Sequence, residues 1–214
     1  MTDVKGSPKK HIQPKRLGIR LKQIFNGGLM TKIDFFNAAL LKIGSQLEIT
    51  GDDDESQEYR ICERVWKQAL KEVYSLYPWR CVRRFVRLNR YVKCDHIRFA
   101  NKFSLPVDFL VLAEVNPKRT EYEIIGDSLY TNLEELQISY TAFEENVGKL
   151  TPHVYNCAVS RLACMIVPGL AKGSYNMKDS ILQEFYQIDF NNAKIVEIRE
   201  NTVRPPAQYW IDEE

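Results

Sequence analysis

The chain has 214 residues, 44% hydrophobic and 27% charged, with a formal net charge of +2. That suits a globular protein with one well-buried core, or one core and a small satellite. No apolar run approaches the roughly 20 residues that span a bilayer, and the lysine-rich N-terminus is not followed by an apolar segment, so membrane insertion and secretion are not expected.

The modest net charge hides a division. Residues 1–29 hold seven Lys or Arg against Asp3 alone, a net of +6, which leaves −4 for the rest. Residues 1–30 therefore read as a basic extension, expected to be disordered and solvated, with the electrostatic capacity to bind nucleic acid or an acidic surface. Asn26-Gly27-Gly28 precedes Met30, and glycine codons spell a purine-rich stretch of the kind found at ribosome-binding sites; Met30 is thus an alternative start.

Thr31 and Asp34 form an N-cap pattern, and Ile33, Phe36, Leu40 and Ile43 recur at helical spacing up to Gly44, which predicts a helix over 31–44. Asp52-Asp53-Asp54-Glu55 lacks the alternating ligands, central glycine and distal glutamate of a calcium loop, and reads as a solvated acidic loop capping the next helix. Tyr59, Cys62, Trp66, Ala69, Val73 and Leu76 predict a long amphipathic helix over 56–77, stopped by Tyr77-Pro78.

From Trp79 the pattern changes to strands, and 79–141 reads as a strand-rich insert. The first strand alternates Arg83, Phe85 and Arg87 against Val82, Arg84, Val86 and Leu88; its cations, with Arg80, suit either a phosphate-facing surface or the charged outer face of a sheet. Leu105-Pro106 precedes an apolar run, Phe109 to Val115, expected to be a buried strand. Gly126-Asp127 marks a tight hairpin, and Leu136, Ile138 and Tyr140 alternate as a last strand. A small antiparallel sheet or sandwich of about four to six strands follows.

Thr151-Pro152 opens a helix over 151–167, closed by Pro168. Leu182, Phe185, Tyr186, Ala193 and Val196 suggest the buried face of a helix over 176–199. The segment 201–214 is a tail carrying Tyr209, Trp210 and Ile211, residues that anchor partners when displayed on extended chain. The fold class is therefore α+β, a bundle of about four helices with an inserted antiparallel sheet or sandwich.

Enzyme signatures are missing from the pattern. Neither Gly27-Gly28 nor Gly169 lies in a phosphate-binding loop, Cys94-Asp95-His96 lacks a second ligand pair for zinc, and no nucleophile elbow or distinguishable carboxylate pair occurs. The five scattered cysteines read as reduced packing residues of a cytosolic protein. Catalytic activity, metal and cofactor are not expected.

The order of these landmarks resembles the head-to-tail adaptor proteins of tailed bacteriophages, above all the tail tubular protein A type of short-tailed phages, and the related tail accessory factors. The matching pieces are Ala38 to Gly44, the long helix ending Tyr77-Pro78-Trp79, Leu105-Pro106 with Asp108-Phe109-Leu110, Tyr122 through Gly126, Tyr140, and Leu150-Thr151-Pro152 leading to Leu162-Ala163, over about residues 31 to 200. The resemblance implies a structural virion protein, a ring-forming connector commonly of twelve copies. It would bind the portal after genome packaging and carry the tail nozzle, in the host cytoplasm during assembly and then in the neck of the virion. It makes Arg204, Tyr209, Trp210 and Ile211 portal-binding candidates. Arg80, Arg83, Arg84 and Arg87 become candidates for a subunit interface or a DNA channel, with non-specific contact to packaged DNA. The family usually has a more apolar stretch after Pro-Trp, and the basic extension lies outside its pattern. The alternative is a nucleic-acid-binding accessory protein that uses the basic extension and the arginine-rich strand.

Overall fold

The computed structural model describes residues 30–170 and 175–201. These residues form an α+β fold of four α-helices and two small antiparallel sheets. Helix α1 is Lys32–Lys42 and starts at a full capping box, in which the Thr31 hydroxyl accepts from the Asp34 amide and the Asp34 carboxylate accepts from the Thr31 amide. Gly44 follows it at φ +77°, a conformation cheap only for glycine. Helix α2 is Gln57–Leu76. Its cap is the Ser56 hydroxyl rather than the acidic loop; Asp54 instead accepts from the Ser56 amide, while Asp52 pairs with Lys32.

Helix α3, Pro152–Leu170, is the central element and packs against α1, α2 and α4, Tyr175–Asn201. The expected stop at Pro168 is not obeyed. A proline there forfeits one hydrogen bond in the last turn, and burial of Ile166 and Val167 holds the turn in place. Two polar ties cross the bundle: Lys42 donates to Ser160 (2.6 Å) and Asp189 (2.8 Å), and Arg161 donates to Glu72 while lying over the Tyr186 ring. Among the described residues no helix is long and apolar enough to cross a membrane.

The insert has seven strands rather than four to six. They are β1 (Arg83–Leu88), β2 (Tyr91–Lys93), β3 (Asn101–Ser104), β4 (Phe109–Asn116), β5 (Tyr122–Ile125), β6 (Ser128–Thr131) and β7 (Leu136–Ala142). One sheet has the order β1-β7-β4, the other β2-β3-β6-β5. Leu88, Phe103, Leu129, Ile138 and Tyr140 form a core of their own, distinct from the helical core. β7, the last in sequence, is the central and most buried strand of its sheet. β4, expected to be buried, is a half-exposed edge whose pairing is irregular between Phe109 and Val111 and between Leu112 and Glu114. The β5–β6 hairpin turns at Gly126 (φ +61°), as anticipated.

Candidate partner-binding surfaces

The insert leaves the helical core at Trp79 and returns to it at Leu150. Trp79, Val82, Val147 and Leu150 all belong to the helical core, so both ends of the insert are seated in one place. Trp79 is fully buried, donates its indole N–H to the Val73 carbonyl at 2.8 Å and packs edge-on against Phe190 of α4. That contact ties the start of the insert to the middle of α4.

The same junction holds Glu197, 1% exposed near the end of α4. Its carboxylate accepts from the Arg80 amide (2.7 Å) and from Arg80 Nε (3.2 Å), and its other oxygen lies 3.4 Å from His153 Nε2. The Arg80 guanidinium also bonds the Glu200 carboxylate and the Glu200 carbonyl. Two elements 117 residues apart in sequence are thereby clamped at the base of the insert. Asn201, one turn on from Glu197, is the last described residue; Arg204, Tyr209, Trp210 and Ile211 lie outside the described residues.

The arginines of β1 itself also find partners. Arg83 donates to the Pro78 carbonyl at 2.8 Å, and its Nε is buried without a partner. Arg84 pairs with Asp108 and with Glu144, and Arg87 with Glu135. Asp108 also accepts from the Tyr140 hydroxyl at 3.1 Å; burial raises that phenol's pKa, and the carboxylate adds to the rise. The structure therefore brings Arg80, Arg83, Arg84 and Arg87 to one stretch of chain but neutralises three of them locally. Sequence reasoning missed these acids because their separations in the chain, 24 to 120 residues, leave no local signal. Phe85, between the arginines, is 66% exposed.

No nucleophilic centre emerges from the cysteines. All five thiols are free, and burial pushes Cys62 and Cys157 up to about 12 and Cys164 up to about 11, holding them protonated at neutral pH. His96 stacks on Phe99 and lies near Tyr130, with Cys94 Sγ directed at the Phe99 carbonyl, so the Cys94-Asp95-His96 loop is packed into the edge of the sheet. Among the described residues no three His, Cys, Asp or Glu side chains cluster as a metal site. A surface depression lies between α2 and α3, lined by Ile61, Val65 and Met165 with Arg60 and Arg64. Helix α4 adds an apolar surface that the sequence reading did not find: Phe185, expected inside, is 53% exposed because it sits about 60° around the helix from Leu182. No protein-family model matches this chain, and none of the curated proteins is significantly similar to it.

Proposed function

We propose that the protein is a structural subunit of a phage head-to-tail connector, forming a ring beneath the portal and carrying the tail nozzle. The observation that supports this most is the junction at Trp79 and Leu150, where a β-sandwich with its own core is seated on a helical bundle and the end of α4 is clamped to its base by Glu197. A ring subunit needs two lateral faces for its neighbours and two axial ones for portal and nozzle. A bundle carrying a second, separately packed module offers such a division of surfaces. A structural rather than catalytic role is part of the proposal, as are the assignments of Arg204, Tyr209, Trp210 and Ile211 to the portal. Arg80, Arg84 and Arg87 fit a subunit interface better than a DNA channel, since phosphate binding would have to displace carboxylates already in place.

The test is to mix the purified protein with cognate portal rings and image the product. A ring added at the portal base is expected. Removal of residues after Arg204 should abolish it, and no added ring with the full chain refutes the connector reading. Salt-sensitive binding to duplex DNA that is lost on neutralising Arg83, Arg84 and Arg87 would favour the nucleic-acid alternative.

A further inference from the structure

Helix α4 has two faces. Leu182, Tyr186, Ala193 and Glu197 are buried on one. On the other, Ile181 (45% exposed), Phe185 (53%), Ile188 (47%) and Ile195 (47%) lie exposed. At about 100° per residue, positions 181, 185, 188, 192, 195 and 199 fall within an arc of about 80°, with intervals of four and three. That is the spacing of a helix-pairing seam, with Asn192 at its middle.

We propose that this face pairs with α4 of a second copy of the chain, antiparallel, about a two-fold axis passing between Asn191 and Asn192. In that register apolar, amide and charged positions of the two copies each meet a suitable counterpart. Reversing the helix about this point places Ile188 opposite Ile195 of the other copy, Asn191 opposite Asn192, and Glu184 opposite Arg199. Glu184 and Arg199 are exposed and make no ion pair among the described residues, so each is available to the other copy. A parallel pairing would set each of these charges beside its own kind. Asparagines at the axis specify register, because any slip sets an amide against an isoleucine. The seam from Ile181 to Asn201 is about 30 Å long, so the area it covers is at the lower end for stable association, and the dimer is expected to be micromolar. This inference stands apart from the connector reading. Where both hold, the pair is the form of the free subunit, since subunits of a ring on a portal all point the same way, and engagement of the portal must open it.

Sedimentation equilibrium of the full chain tests the proposal. Dimers should form as the concentration rises to about 0.5 mM, and the substitution Ile188→Glu should leave monomer with an unchanged unfolding midpoint, since the residue is already half exposed. Glu184→Arg or Arg199→Glu alone should weaken the dimer about tenfold, the two symmetry-related pairs being lost together. The double exchange Glu184→Arg with Arg199→Glu should restore it. A wild-type chain that stays monomeric, an Ile188→Glu variant that still dimerises, or a double exchange that fails to rescue would each overturn the antiparallel pair. None of these results bears on whether the protein adds a ring to a portal.

Discussion

Replacing Glu197 by Ala removes the buried carboxylate at the junction of bundle and sandwich, and the cost follows from what it leaves behind. The Arg80 amide loses a 2.7 Å charge-assisted hydrogen bond and the guanidinium loses a 3.2 Å one, while His153 loses its neighbour. Charge-assisted bonds are worth about 1.5–3 kcal/mol each, but removing Glu197 also relieves the cost of burying its charge. Arg80 is itself 39% exposed on its side chain and keeps Glu200, so the full penalty of an orphaned buried charge does not apply. The net loss should be about 2–3 kcal/mol, or a fall in Tm of about 4–10 °C for a domain of this size. Urea unfolding measures it directly. Glu200→Ala, at a half-exposed position, should cost under about 0.5 kcal/mol. A double-mutant cycle of Glu197→Ala with Arg80→Ala should return a coupling of about 1.5 kcal/mol. A Glu197→Ala variant within about 0.5 kcal/mol of wild type, or no more destabilised than Glu200→Ala, would refute the clamp.

The hydroxyls of Ser139 and Thr141 are buried without a hydrogen-bond partner on the central strand β7, so Ser139→Ala and Thr141→Val should be neutral or stabilising by about 0.5–1 kcal/mol in urea unfolding. Gly44→Ala should cost about 1 kcal/mol; its Cβ would meet nothing, so the loss comes from the positive φ alone and should appear in the thermal midpoint. Cys62, Cys157 and Cys164 have folded pKa values raised above the ordinary 9.0, so the folded state holds protons that the unfolded chain releases. Their contribution is intact below pH 9 and is lost as pH rises from 9 towards 11–12, at a slope approaching about 1.4 kcal/mol per pH unit for each thiol. Urea midpoints measured at pH 8, 9 and 10 should fall steeply only above 9, and less so in a variant with all three replaced by Ala.

Much of the helical layer is legible in the sequence because its signals are local. Thr31 and Asp34 announce the start of α1 within one turn, and the interval of three and four from Tyr59 to Leu76 gives α2 almost to the residue. The turn at Gly126 is equally local. What failed depended on neighbours distant in the chain. Pro168 reads as a stop unless it is known that Ile166 and Val167 are already buried in the bundle. The apolar run Phe109 to Val115 reads as a buried strand, yet β7 takes the centre of the sheet through pairings with β1 and β4 that no local pattern specifies. Phe185 reads as part of the inner face of α4 because an apolar residue near Leu182 and Tyr186 is ordinarily part of the same stripe, yet it is 53% exposed.

The charges of β1 carry the same lesson into function. Read in sequence, Arg80, Arg83, Arg84 and Arg87 form a cationic strand that invites phosphate. In the fold, Glu197, Glu200, Asp108, Glu144 and Glu135 converge on it from α4 and from the loops of the insert. With three of its four arginines matched by carboxylates, the strand has a weakened far field beyond a Debye length of about 8 Å and fewer counterions to release on contact. The largest excess of positive charge in the sequence lies instead in residues 1–29, with a net of +6. Salt dependence therefore separates the two segments: if the protein binds duplex DNA, deleting residues 1–29 should remove most of the dependence, whereas neutralising Arg84 and Arg87 should chiefly lower stability, slightly, by unpairing Asp108 and Glu135, Glu144 keeping Lys149. Retention of the full salt slope by the shortened chain would place the phosphate contacts back on the strand.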